Sequence, residues 1–136
     1  MPSNDQPAAA SAPRYPAANA HGARSVESWG SLTWLASRAI GNTRDLTVGR
    51  VTIARGGSNP RHAHPGSEEV LYLLAGRLEH TLGDRTFTLE PGDTLAIPPG
   101  VFHNARSVGD TDADMIVAYS TGVRDFVLES ATAAKD

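Results

Sequence analysis

The stretch that decides the fold reads Gly56-Gly57-Ser58-Asn59-Pro60-Arg61-His62-Ala63-His64-Pro65-Gly66-Ser67-Glu68-Glu69. His62 and His64 stand two residues apart. Side chains alternate along a strand, so both imidazoles project from one face. A carboxylate follows a few residues later, from Glu68 or Glu69. Neutral imidazole and carboxylate together suit Fe, Mn, Ni, Co or Zn. Gly57 and Pro60 bend the chain before the pair. A second stretch answers the first: Gly92-Asp93-Thr94-Leu95-Ala96-Ile97-Pro98-Pro99-Gly100-Val101-Phe102-His103. Here a turn delivers a strand, a Pro-Gly bend follows, and His103 opens the next strand.

Outward from these stretches the texture is short and β-like. Residues 32–36, 46–54, 70–74, 77–82, 86–89, 94–97 and 115–120 carry β-branched or aromatic residues between turn formers. The breaks are Gly56-Gly57, Pro65-Gly66, Gly76, Gly83-Asp84, Pro91-Gly92, Pro98-Pro99-Gly100 and Gly109-Asp110. Strands so closely spaced predict an all-β sandwich or small barrel. Two segments leave room for helix: residues 25–37, interrupted by Gly30, and one last turn within 124–130.

The chain of 136 residues supports one domain. Residues 1–24, rich in Ala and Pro, read as a flexible tail, residues 25–129 as the domain, and residues 130–136 as a frayed end. The chain has no Cys, which excludes a disulfide framework, a thiolate metal site and a Cys nucleophile. Net charge is -3, and the 12 Lys and Arg are scattered. No basic patch marks a nucleic-acid partner, and no long apolar run marks a membrane span. No basic stretch leads into an apolar one near the start, so the expected compartment is the cytoplasm.

Both motifs resemble those of the cupins, small β-barrels. The first cupin motif is G-x5-H-x-H-x3,4-E-x6-G, matched by Gly56, His62, His64, Glu69 and Gly76. The last spacer selects Glu69 over Glu68, since only Glu69 stands six residues from Gly76. The second, G-x5-P-x-G-x2-H-x3-N, is matched by Gly92, Pro98, Gly100 and His103. Its final Asn is replaced by Ser107, with Asn104 nearby. The resemblance implies an antiparallel jelly-roll barrel, also called a double-stranded β-helix. It also implies one divalent transition metal on His62, His64, Glu69 and His103. Three His and one Glu leave about two octahedral positions open for a small oxygenated substrate. Isomerase, lyase and dioxygenase chemistry all occur in the family. The alternative is a metal-dependent binding or sensing module without turnover. Sensor cupins often carry a DNA-binding domain, for which residues 1–24 are too short.

Other residues were weighed as functional. His80 alternates with Leu78 and Leu82 toward the interior, as an acid/base group or a hydrogen-bonded interior residue. Arg50 is either an inward carboxylate binder or an exposed residue on an edge strand. Tyr72, Phe102, Tyr119 and Trp34 are candidate pocket walls or plain core. Asp110, Asp112 and Asp114 read as a solvated acidic loop, and Glu68 as a solvated neighbour of Glu69. Residues 119–126 loosely resemble the end of small cupins acting on unsaturated sugar acids. The resemblance further implies a homodimer through residues 31–39, with Trp29 and Trp34 as candidate anchors. His21 carries no functional reading.

Overall fold

A computed structural model of the chain describes residues 23–130. Eleven strands occupy these residues: β1 (Arg24–Glu27), β2 (Gly30–Ala36), β3 (Thr47–Ile53), β4 (His62–Ala63), β5 (Glu69–Ala75), β6 (Leu78–Leu82), β7 (Arg85–Leu89), β8 (Thr94–Ile97), β9 (His103–Ser107), β10 (Ala113–Tyr119) and β11 (Val127–Leu128). They form two sheets, ordered β1-β2-β3-β10-β5-β8 and β11-β4-β9-β6-β7. Every pairing is antiparallel. This is the jelly-roll arrangement of two facing sheets.

Period-two alternation sets the inside of the barrel. In β10 Ala113, Met115, Val117 and Tyr119 are buried, and in β3 Thr47, Gly49, Val51 and Ile53 are. The core gathers Ile53, Leu71, Leu73, Leu78, Met115 and Val117 between the sheets. Turn chemistry then closes the hairpins. Gly76, between β5 and β6, takes φ of 86°. A Cβ there would stand 2.6 Å from Asp112 O, so both its conformation and its close approach demand glycine.

Some boundaries differ from expectation. Residues 25–37 hold no helix: β1 and β2 form a hairpin around Ser28-Trp29, with Glu27 opposite Gly30. β1 starts at Arg24, inside the expected tail, because Arg24 pairs with Thr33. Residues 124–126 have no regular structure, and helical backbone among the described residues is confined to Glu129 and Ser130. The remaining tail readings, including His21, fall on residues 1–22 and 131–136, outside the described residues. Trp29 and Trp34 pack against the chain's own core, and β2 pairs with β3.

Candidate metal centre

Four side chains from both sheets converge inside the barrel. His62 opens β4 and lies directly opposite His103, the first residue of β9. His64 follows β4, and Glu69 opens β5 in the other sheet. All four are buried, and one ligand atom from each lies within 4.8 Å of every other.

The backbone fixes each imidazole. His62 Nδ1 lies 2.8 Å from Pro60 O, His64 Nδ1 2.7 Å from Asp125 O, and His103 Nδ1 2.8 Å from Val101 O. A carbonyl only accepts, so each Nδ1 carries the proton and donates it. With Nδ1 so engaged, each ring turns Nε2, the remaining donor or ligand atom, toward the centre; without a proton there it presents a lone pair. There, His64 Nε2 and His103 Nε2 each lie 3.2 Å from Glu69 Oε1. Lone pairs facing a carboxylate oxygen repel unless a cation lies among them. An added proton or a metal ion satisfies this need, and the N/O donor set fits a divalent transition metal.

The electrostatics agree. Burial pushes His62 from 6.5 down to about 4, against the pull of its hydrogen bond to Pro60. Burial alone would raise the Glu69 carboxyl. With a proton on Nε2, the hydrogen bonds and charges of His103 and His64 overcome that and hold it at about 2. Glu69 is thus an ionised carboxylate in the interior, a costly arrangement that requires paired charge.

Beside the four residues lies a cavity of about 410 Å³. His62, Glu69 and His103 line it, as do His80, Trp34 and Tyr119. His80 is buried and faces inward, as its alternation with Leu78 predicts. Its ring stacks on His103 at 5.7 Å, burial lowers it to about 4, and its Nδ1 has no hydrogen-bond partner.

Two expected catalytic residues lie elsewhere. Arg50 is exposed on the outer face of β3, where it holds Asp114 through two hydrogen bonds. The parity that turns Val51 and Ile53 inward turns Arg50 outward. Tyr72 is 44% exposed, on the opposite face of β5 from Glu69, Leu71 and Leu73. Phe102 is half-buried and does not line the cavity. Asp114 is ion-paired, and Asp112 Oδ1 accepts the Arg55 N–H, so the acidic loop is partly tied down. Glu68 is exposed, as expected.

The structure adds a strap, residues 124–129, that the motifs did not indicate. Asp125 O orients His64, and Asp125 Oδ2 accepts the Gly66 N–H at 2.7 Å. Phe126 stacks on His62 at 5.0 Å. β11 pairs with β4, and Glu129 is ion-paired to Arg61. Arg124 enters the cavity lining. In the sequence, only the loose likeness of residues 119–126 to the end of certain small cupins touches this segment.

Among known families, the one described as "Cupin domain" matches residues 49–119, more than half of the chain. This chain belongs to the cupin family. Germin-like protein 3-8 of Oryza sativa subsp. japonica is 33% identical over 96 residues, covering 67% of this cupin and 43% of the relative. Germin-like protein subfamily 2 member 1 of Arabidopsis thaliana is 34% identical over 85 residues, covering 59% and 39%. The cupin therefore spans about two fifths of the length of these relatives. A solved oxalate oxidase in complex with the substrate analogue glycolate matches with a TM-score of 0.71 and 27% identity, over 79% of this chain and 59% of the other. The oxalate decarboxylase of Lactobacillus farciminis, solved with formate, matches with a TM-score of 0.77 over 85% of this chain and 36% of the other. At 20% identity it supports the fold alone. Among the described residues no helix is long and apolar enough to cross a membrane.

Proposed function

We propose that this cupin is a metal-dependent enzyme acting on a small oxygenated organic substrate, with His62, His64, Glu69 and His103 holding one divalent transition metal. The carrying observation is the set of three imidazoles, each turned by a main-chain carbonyl so that its Nε2 faces an ionised carboxylate. Fe, Mn, Ni, Co and Zn all suit these donors. When bound, such a metal supplies Lewis acidity, and a redox-active one also supplies oxygen chemistry.

The chain's own residues do the rest. The aromatic and aliphatic cavity walls exclude water around the substrate. His80, neutral because burial lowers it to about 4, is the proposed proton acceptor on the cavity wall. Arg50 and Tyr72 leave the catalytic set, since neither reaches the cavity. The oxalate oxidase likeness favours oxidase chemistry on an oxygenated acid, with lyase chemistry kept from the family resemblance. Isomerase and dioxygenase chemistry, expected from the motifs, gain no support from the comparisons. A homodimer in the cytoplasm completes the proposal, to be read by light scattering and cell fractionation.

Metal analysis of the purified protein should find close to one transition metal per chain, and none in His64→Ala or Glu69→Ala. Full metal content in both variants would overturn the assignment. A panel of small hydroxy and oxo acids, with and without oxygen, should then yield product. Tight binding without product would favour the sensing module instead.

A further inference from the structure

Arg124 is the one Lys or Arg on the cavity lining among the described residues. Its guanidinium carbon lies 4.7 Å from the ring centroid of Trp34, 5.2 Å from Phe126 and 5.7 Å from Tyr119. Tyr119 lies beside both Glu69 and Arg124, whose charges both act on its hydroxyl, so one tyrosine stands between this cation and the four converging side chains. Arg38, Arg50, Arg61 and Arg77 each pair with a carboxylate. Arg124 pairs with none among the described residues. Its planar face is covered by rings while its N–H fork is free of any acidic partner. That is the arrangement that grips a ligand carboxylate.

Away from Ser25, Glu27, Asn59 and the histidine–glutamate cluster, the cavity is apolar. Trp29, Leu32, Leu71, Met115, Val117 and Phe126 contribute to the walls. A volume of about 410 Å³ falls within the ~300–1,000 Å³ of pockets that take sizeable organic ligands. A two-carbon diacid would leave most of that space unfilled. We infer that the site takes a monocarboxylate bearing an oxygen on the adjacent carbon and an apolar body of aromatic size, with Arg124 gripping the carboxylate. The adjacent oxygen faces the four converging side chains, and the body lies along the apolar walls. This specificity rests on the metal-centre reading above and departs from oxalate.

The test uses phenylglyoxylate, its uncharged methyl ester and oxalate as probes in titration calorimetry. Metal content is measured on each sample. The metal-loaded full chain should bind phenylglyoxylate more tightly than the ester and more tightly than oxalate. Arg124→Gln should weaken the acid by about tenfold to a hundredfold, leave the ester unchanged and keep its metal. Arg124→Lys should recover part of the loss, since the charge returns without the fork. A merely structural Arg124 would weaken acid and ester alike. That result, or tighter binding of oxalate in the wild type, overturns the proposal. A chain that takes up no metal overturns the metal-centre reading instead. The acid–ester difference on that metal-free chain, with and without Arg124, still decides the role of Arg124.

Discussion

Residues 62–69 and the strap, residues 124–129, meet over the same cavity but are held in different ways. The first segment is anchored deep in the barrel. His62 and His64 are buried, His62 lies opposite His103, and Glu69 starts a seven-residue central strand. The strap rests on the barrel through a two-residue ladder, the Glu129–Arg61 ion pair and the Asp125 bond to Gly66. Phe126, its contact with His62, is 46% exposed. Holding metal ligands needs rigidity from both sheets. Presenting Arg124 and Phe126 to a ligand needs only a lightly pinned segment, because local stability follows the number of buried contacts.

Acid should separate the two regions most strongly. In the metal-free protein, burial lowers His62 and His80 from 6.5 to about 4. Both are neutral when folded but protonate in the unfolded chain between those values. Their stability is therefore complete above pH 6.5 and is lost as pH falls through 4. Urea unfolding at pH 7.5 and 4.5 should show a drop of roughly 2 kcal/mol for each imidazole. Equal stability at both pH values would mean that the histidines are not held neutral. Glu69, lowered from 4.5 to about 2, adds its own loss across that more acidic window.

A smaller effect probes the strap. Asp125→Ala removes the acceptor of the Gly66 N–H but keeps the carbonyl that orients His64. Metal affinity, measured by chelator competition, should fall about tenfold, as for other groups that orient ligands from behind. Asp125→Asn, which keeps an acceptor for Gly66, should fall less. Unchanged affinity in the alanine variant would show that the ligand segment needs no strap. The smallest effect belongs to the outer face. Arg50→Ala breaks an exposed pair with Asp114 and should change stability by no more than about 0.5 kcal/mol, with metal content intact.

What was legible in the sequence follows the range of the interactions involved. His62, His64, Glu69 and His103 are readable because strand alternation and turn spacing are local. The inward face of His80 follows from its place beside Leu78. The same alternation, applied strictly, would have sent Arg50 outward. The exposed alternative for Arg50 is the one the structure holds, with Asp114 as its partner. Residues 25–37 look open to helix because the pairing of β1 with β2 depends on a turn at Ser28-Trp29. Arg124 and Asp125 were illegible as site residues, since their partners lie far back along the chain, at Trp34, His64 and Gly66. No periodicity records such contacts. The Ser107 departure is also resolved. Ser107 bonds Gly56 and Gly57 through its backbone, and the Asn104 side chain bonds Ser58 and Asn59. The turn before His62 is thus held without an asparagine at Ser107.

The three carbonyls behind the histidines have a consequence for how such a barrel changes over generations. An orienting side chain can be lost by a single replacement, but Pro60, Val101 and Asp125 each offer main-chain oxygen that every residue type possesses. Drift at these positions leaves the acceptors in place wherever the backbone keeps its path. The walls and the strap are thereby free to be rewritten for new ligands while the inherited centre stays intact.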